Sequence, residues 1–333
     1  MLAKLPQKTE ENALSSVLAP QQDAPQHYIH SATSHNTRLA YQADIRHFER
    51  WGGHLPASTD SVLRYLHTFA SILNPNTLAR RLIALKYWHE YQGFSDPTYS
   101  PLVTKTLSGI TRIHGKPKDK APPLLPEKLL QIVRHLAENT TLQALRDSAL
   151  LQTGFLGAFR RSELVQLQVE HIDWQAQGIE ILLPSSKTDQ THVGQYCAIP
   201  YGNDKLCAVR AIQCWLEQAN IQAGPVFRRI YRNNKIGKTG IAVLSVNHIL
   251  QRNAESAGLE NAKQFSSHSL RRGFATAASR NGVSLQSIMQ QGRWKQVSTV
   301  MEYIEAAGRF ENNAADQVLQ HLEKTLSDRK TAC

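Results

Sequence analysis

The sequence predicts a mainly α protein in two parts, a four-helix unit followed by an α+β domain with one small antiparallel sheet. Three observations carry this. Apolar residues recur at helical spacing through most of 34–113 and again beyond 123. One stretch, "GIEILLPSSKTDQTHVGQYCAIP" from Gly178, alternates instead, as strands joined by a turn do. Between the helical blocks lies "HGKPKDKAPPLLP", whose four prolines and three lysines make an extended, exposed connector.

The elements follow in order. Residues 1–26 are rich in Gln, Pro, Ala and Ser, hold no period, and read as a mobile arm. Residues 27–113 hold the first domain. From Ser34, Tyr41, Ile45 and Phe48 mark one helix, which Gly52 and Gly53 stop. "STDSVLRYLHTFASIL" puts Val62, Leu66, Phe69 and Leu73 on one face of a second. "NPNTLARRLIALKYWHEYQG" turns Leu78, Leu82 and Leu85 inward and leaves Arg80, Arg81 and Lys86 off that line. A fourth helix runs from about Pro101 to Ile113, and 114–122 form the linker. The second domain, 123–333, reads as helices over 127–136, 142–155, 204–218, 245–257, 266–282, 284–291 and 298–306. A last amphipathic segment lies around Gln317 to Leu326, and "FRRIYRNNKIGK" from Phe227 reads as a basic loop.

Bulk properties narrow the function. The chain has 333 residues, 41% of them hydrophobic, and a net charge of +11 shared almost evenly by the two sides of Pro122. A polyanionic partner follows, with nucleic acid leading, because each Lys or Arg contact to a phosphate releases counterions. No apolar run approaches a membrane span, and the start lacks the apolar stretch of a secretion signal. The four cysteines fit neither a zinc framework nor a disulfide scaffold, so a cytosolic location is expected, with Cys207 and Cys214 in the core.

In "SSHSLRRGFATAASRNG" the serines suit an N-cap and Gly282 a helix stop. His268 and Arg271 are three residues apart in the first turn, where free N–H groups already favour anions. That turn is a plausible seat for a phosphate. "TGFLGAFRRSELVQL" places Arg160 and Glu163 at a helix start after a glycine-containing bend, and "SSKTD" puts Lys187 on the strand turn. "QGRWKQVSTVMEYIE" supplies Trp294 and, nine positions on, Tyr303.

This order resembles the tyrosine recombinase (phage integrase) family across the whole second domain. The four-helix unit is similar to the family's SAM-like core-binding domain. The resemblance implies the tyrosine recombinase fold and a metal-free, ATP-independent breaking and rejoining of DNA through a 3′-phosphotyrosine. The sequence offers no carboxylate cluster of the two-metal kind. Tyr303 is then the nucleophile. Arg160 and Arg271 hold the nonbridging oxygens with planar forks that stay charged at neutral pH. Glu163 orients the basic cluster, Lys187 protonates the leaving 5′ oxygen and His268 accepts or shares the phenolic proton. Trp294 stands where many members carry histidine and offers a single indole donor. The resemblance further implies double-stranded DNA with inverted-repeat sites, a homotetramer docked through the last helix, a cytoplasmic, nucleoid-associated location, and no membrane. Arg38, Arg80, Arg81, Arg229 and Arg232 are candidate DNA contacts. Two alternatives remain open here, a type IB topoisomerase-like enzyme and a catalytically silent DNA-binding regulator of the same fold.

Overall fold

The computed structural model describes residues 33–117, 120–184 and 194–307, with Ala315, Val318, Leu319 and Leu322. The arm expected at 1–26 lies outside the described residues. The chain divides into two units, Met1–Asp119 and Lys120–Cys333.

The first unit has four α-helices, α1 His35–Trp51, α2 Thr59–Phe69, α3 Pro75–Tyr91 and α4 Pro101–His114. Each begins on a residue whose side chain accepts an otherwise unpaired backbone N–H: Ser34 from Thr37, Ser58 from Ser61, Asn74 from Asn76 and Ser100 from Leu102. Pro75 and Pro101 occupy first-turn positions, where their missing N–H is not needed. Gly52, at φ 104, ends α1 in the left-handed region. The apolar faces of the four helices meet in a core of Phe48, Val62, Tyr65, Leu66, Leu78, Leu82, Leu85, Val103 and Ile110. Buried His89 joins α3 to the loop before α2. Its Nδ1 donates to the Leu85 carbonyl at 2.7 Å, and its Nε2 accepts from the Ala57 N–H at 2.8 Å.

In the second unit α5 (Pro126–Ala137) and α6 (Leu142–Leu156) precede a short α7 (Arg161–Val165). Then come the antiparallel strands β1 Ile172–Gln175, β2 Gly178–Leu183 and β3 Gln195–Pro200, in that spatial order. Helix α8 (Ala208–Gln218) leads to a two-stranded hairpin, β4 Arg228–Ile230 and β5 Ile236–Gly240, where a basic loop was expected. The hairpin forms because Ile230 pairs with Ile236 and Asn234 tolerates φ 58 in the turn between them. The chain continues through α9 (Ser245–Ser256), α10 (Ser267–Arg280), α11 (Leu285–Gly292) and α12 (Val297–Ala307). Helix α6 is central. It is buried from Ala144 to Phe155 with few breaks and packs against α5, α8 and α10. Cys207 is buried in the core, but Cys214 is exposed on α8, so only the first of the two behaves as expected.

Residues 120–124 lie against α10. The Leu124 N–H donates to the Ser269 carbonyl at 2.9 Å, the Arg272 guanidinium donates to the Ala121 carbonyl, and Lys120 pairs with Glu302 on α12. Gly273 permits this approach, since a Cβ there would stand 1.8 Å from the Leu124 carbonyl oxygen. Gly273→Ala is expected to destabilise the second unit by about 1–3 kcal/mol, the usual range for forced overpacking. Chemical denaturation checks this, and an unchanged midpoint would refute it.

Candidate active site

Helix α6 ends in a tight bend. Gly157 lets the Phe159 ring fold back, because a Cβ at 157 would lie 2.2 Å from it. Ala158 follows at φ 44, a left-handed conformation costly for a residue with a Cβ. The Gly157 and Ala158 carbonyls stand just past the C-terminal end of α6, where the helix dipole is negative and favours cations. Arg293 Nη2 donates to the Gly157 carbonyl at 2.9 Å, and Arg271 Nη1 donates to the Ala158 carbonyl.

The bend delivers Arg160 and α7. Glu163, 2% exposed, accepts from the Arg160 backbone N–H at 2.9 Å and from its Nη1 at 2.5 Å. Arg293 Nη2 reaches Oε2 of the same carboxylate at 3.3 Å. Burial alone would raise the Glu163 carboxyl. The charges of Arg293 and Arg160, with the Arg160 hydrogen bonds, outweigh burial and hold it below the ordinary carboxylate range. A carboxyl depressed on folding adds stability above its unfolded pKa and loses it as pH falls through the folded value. The stability gap between the protein and Glu163→Gln should therefore widen from acid to neutral pH. Denaturation at several pH values measures it, and a pH-independent gap would contradict the pairing.

Arg271 comes from α10, one turn after its N-cap Ser266, and is 3% exposed. Its guanidinium lies over the Trp294 ring, 4.0 Å from the centroid. Its Nη2 is buried with no hydrogen-bond partner among the described residues. Burial, then repulsion from Arg160 and Arg293, pushes it down to about 9, still charged at neutral pH. Three guanidinium groups thus converge where one carboxylate answers them. Such a nest favours an oxyanion, which would relieve the repulsion and accept from the orphaned N–H donors.

Trp294 is buried in a small separate core with Ala158, Ala275, Ile288 and Val300. Tyr303, half-buried on α12, packs edge-on against it with ring centroids 6.1 Å apart. The Arg272 guanidinium lies 5.3 Å from the Tyr303 centroid, and the phenol acts electrostatically on both Arg271 and Arg272. His268 is exposed in the first turn of α10. Lys187 belongs to the β2–β3 connection and lies outside the described residues. Arg160, Glu163, Arg271, Trp294 and Tyr303 are thus gathered around one bend. Sequence reasoning missed Arg293 and Arg272, whose main partners are carbonyl oxygens.

The candidate DNA contacts differ in setting. Arg229 and Arg232 are exposed on the β4–β5 hairpin, with Arg229 over the Tyr231 ring. Arg80 is half exposed and grips buried Asp44 through two 2.8 Å bonds. Arg81, only 11% exposed at its side chain, turns inward to Asp44, His47 and the Tyr65 hydroxyl. Arg38 is partly buried and donates to the Thr33 carbonyl.

Residues 123–309 match the phage integrase family, and residues 26–92 match its N-terminal SAM-like domain. The chain belongs to the phage integrase family. Its integrase match spans Arg160 through Tyr303, and its SAM-like match spans Arg38, Arg80 and Arg81. An integrase/recombinase XerD homologue of Selenomonas ruminantium is 36% identical over 87% of each chain. The Cre recombinase of Escherichia phage P1 is 26% identical over 75% of this chain and 76% of its own. Among solved structures, the Tn1549 transposon integrase in complex with transposon right end DNA shares the integrase fold. It has a TM-score of 0.60 and 15% identity, and covers 90% of this chain and 97% of its own. No helix among the described residues is long and apolar enough to cross a membrane.

Proposed function

We propose that this integrase family member is a site-specific DNA recombinase that cuts and rejoins strands through a covalent bond at Tyr303. The observation that carries the reading is the nest of part-buried Arg160 with buried Arg271 and Arg293 around Glu163, beside a tyrosine packed on Trp294. The Tyr303 oxygen attacks the scissile phosphorus as the bond to the 5′ oxygen breaks. His268 takes or shares the phenolic proton, and Lys187 gives one to the leaving oxygen. Arg160 and Arg271 face the charge that grows on the nonbridging oxygens. Each such charge-assisted bond is worth about 1.5–3 kcal/mol, more where water is excluded. Attack by a second 5′ hydroxyl reverses the step on a new partner. The phosphodiester's energy is kept in the phosphotyrosyl link, so neither ATP nor a metal is required.

In this reading residues 27–113 form the core-binding domain, 114–122 the linker and 123–333 the catalytic domain. Arg38, Arg80, Arg81, Arg229 and Arg232 are the candidate DNA contacts, with Arg81 the most enclosed of the five. Phosphate contacts position the protein, and base-edge contacts select the site. Four subunits act on two inverted-repeat sites and dock through the C-terminal segment. Of that segment Val318, Leu319 and Leu322 are described, and all three are exposed.

Incubation with a nicked duplex site, whose 5′ fragment diffuses away after cleavage, should trap protein on DNA. Peptide mass spectrometry should map the link to Tyr303, and a link elsewhere would reject the assignment.

A further inference from the structure

Arg293 is a deeply enclosed cation of the nest, with 3% of its side chain exposed, and the sequence gives it no role. It sits just after α11 at φ 55, a backbone conformation that glycine adopts freely and arginine does not. A strained, buried charge persists only where its surroundings hold it. Its surroundings here are five. Nη1 donates to the Gln291 carbonyl at 2.8 Å. Nη2 donates to the Gly157 carbonyl at 2.9 Å and approaches the Ala158 carbonyl at 3.5 Å and Glu163 Oε2 at 3.3 Å. The guanidinium plane stacks on Phe159, 4.7 Å from the ring centroid.

These partners are the parts that aim the other two arginines. The Ala158 carbonyl also receives Arg271, and the Glu163 carboxylate also receives Arg160. The residue after Arg293 is Trp294, on which Arg271 lies. One guanidinium therefore fastens the α6–α7 bend to the turn that presents the Trp294 wall. We infer that Arg293 is a positioning residue that sets the Arg160–Arg271 pair to phosphate geometry and adds its charge to their field without itself touching the phosphate. This rests on the proposed phosphate role of that pair, not on the identity of the nucleophile.

The test compares wild type, Arg293→Gly and Arg293→Lys. Glycine keeps the backbone conformation and removes only the side chain, and lysine keeps the charge but loses the fork. The first measurement is affinity of the DNA-free protein for inorganic phosphate, read by calorimetry, which needs no chemistry at Tyr303. Arg293→Gly is expected to weaken it by about ten-fold, the usual loss when a supporting partner of a binding group is removed. The second is the single-turnover cleavage rate on the nicked site beside the DNA dissociation constant. The rate should fall by about ten-fold or more while DNA affinity, set by remote phosphate contacts, stays unchanged, and Arg293→Lys should recover part of the loss.

Phosphate affinity and cleavage at wild-type levels in Arg293→Gly would overturn the inference. So would a fall in DNA affinity that matches the fall in rate, or a lysine variant no better than glycine. If Arg293→Gly does not fold, Arg293→Lys decides, because a wild-type rate in that variant would show that the fork is not needed. A wild type that binds phosphate through the nest but forms no adduct would defeat the proposed reaction and leave this inference standing.

Discussion

Tyr303→Phe should abolish covalent capture of DNA and leave the fold and DNA binding in place. The substitution removes one oxygen and keeps the ring, which fills the space beside Trp294 and beneath the Arg272 guanidinium. In the proposed reaction the hydroxyl itself is the attacking group. An ordinary phenol, with a pKa of about 10, is only about 0.1% ionised at pH 7, so the attacking oxygen depends on proton removal and a cationic setting. The Arg272 guanidinium lies 5.3 Å from the centre of that ring. Denaturing electrophoresis after incubation with a nicked site separates the outcomes. A shifted band that persists in the Phe variant would place the nucleophile on another residue.

Arg271→Met should slow strand cleavage by about 10²–10³-fold, the usual loss on removing a preorganised oxyanion donor. Methionine fills much of the volume, so the effect reports the lost guanidinium and not a cavity. The same change should leave stability unchanged or raise it. Arg271 is charged in a buried place, and its pKa is pushed down there by desolvation and by its arginine neighbours, so the empty site bears a cost that methionine does not. Single-turnover cleavage and thermal denaturation on the same preparations give both numbers. Parallel loss of rate and stability would mean that Arg271 is chiefly structural. Arg271→Lys should not restore the rate, since a point charge cannot serve a carbonyl and a phosphate with one planar fork.

The helices were legible because their ends are written in short polar residues. Ser34, Ser58, Asn74 and Ser100 each cap the helix that follows, and Gly282, at φ 72, stands just past the end of α10. Strand β1 was not legible, since only Ile172 of its four residues is buried and no alternation results. The β4–β5 hairpin hid for a related reason. Its paired isoleucines sit among arginines and lysines that look like a solvated loop. In the candidate site, Arg160, Glu163, Arg271, Trp294 and Tyr303 were singled out by their resemblance to the family's motif order, and the structure gathers all five around one bend. Arg293 was not. Main-chain oxygens carry no letter in a sequence, and those it binds at 157 and 158 lie far back along the chain. Arg81 shows the converse. It lies off the apolar line of α3, as a surface residue would, yet it serves the buried Asp44 on a different helix.

The Gly157–Arg293 contact closes a span of 136 residues. A chain leaving the ribosome has both ends of α6 and all of the three-stranded sheet long before that closure can occur, and pairings this distant form late and slowly. The bend that carries Arg160 and the turn that carries Trp294 are therefore joined only near the end of folding of the second unit.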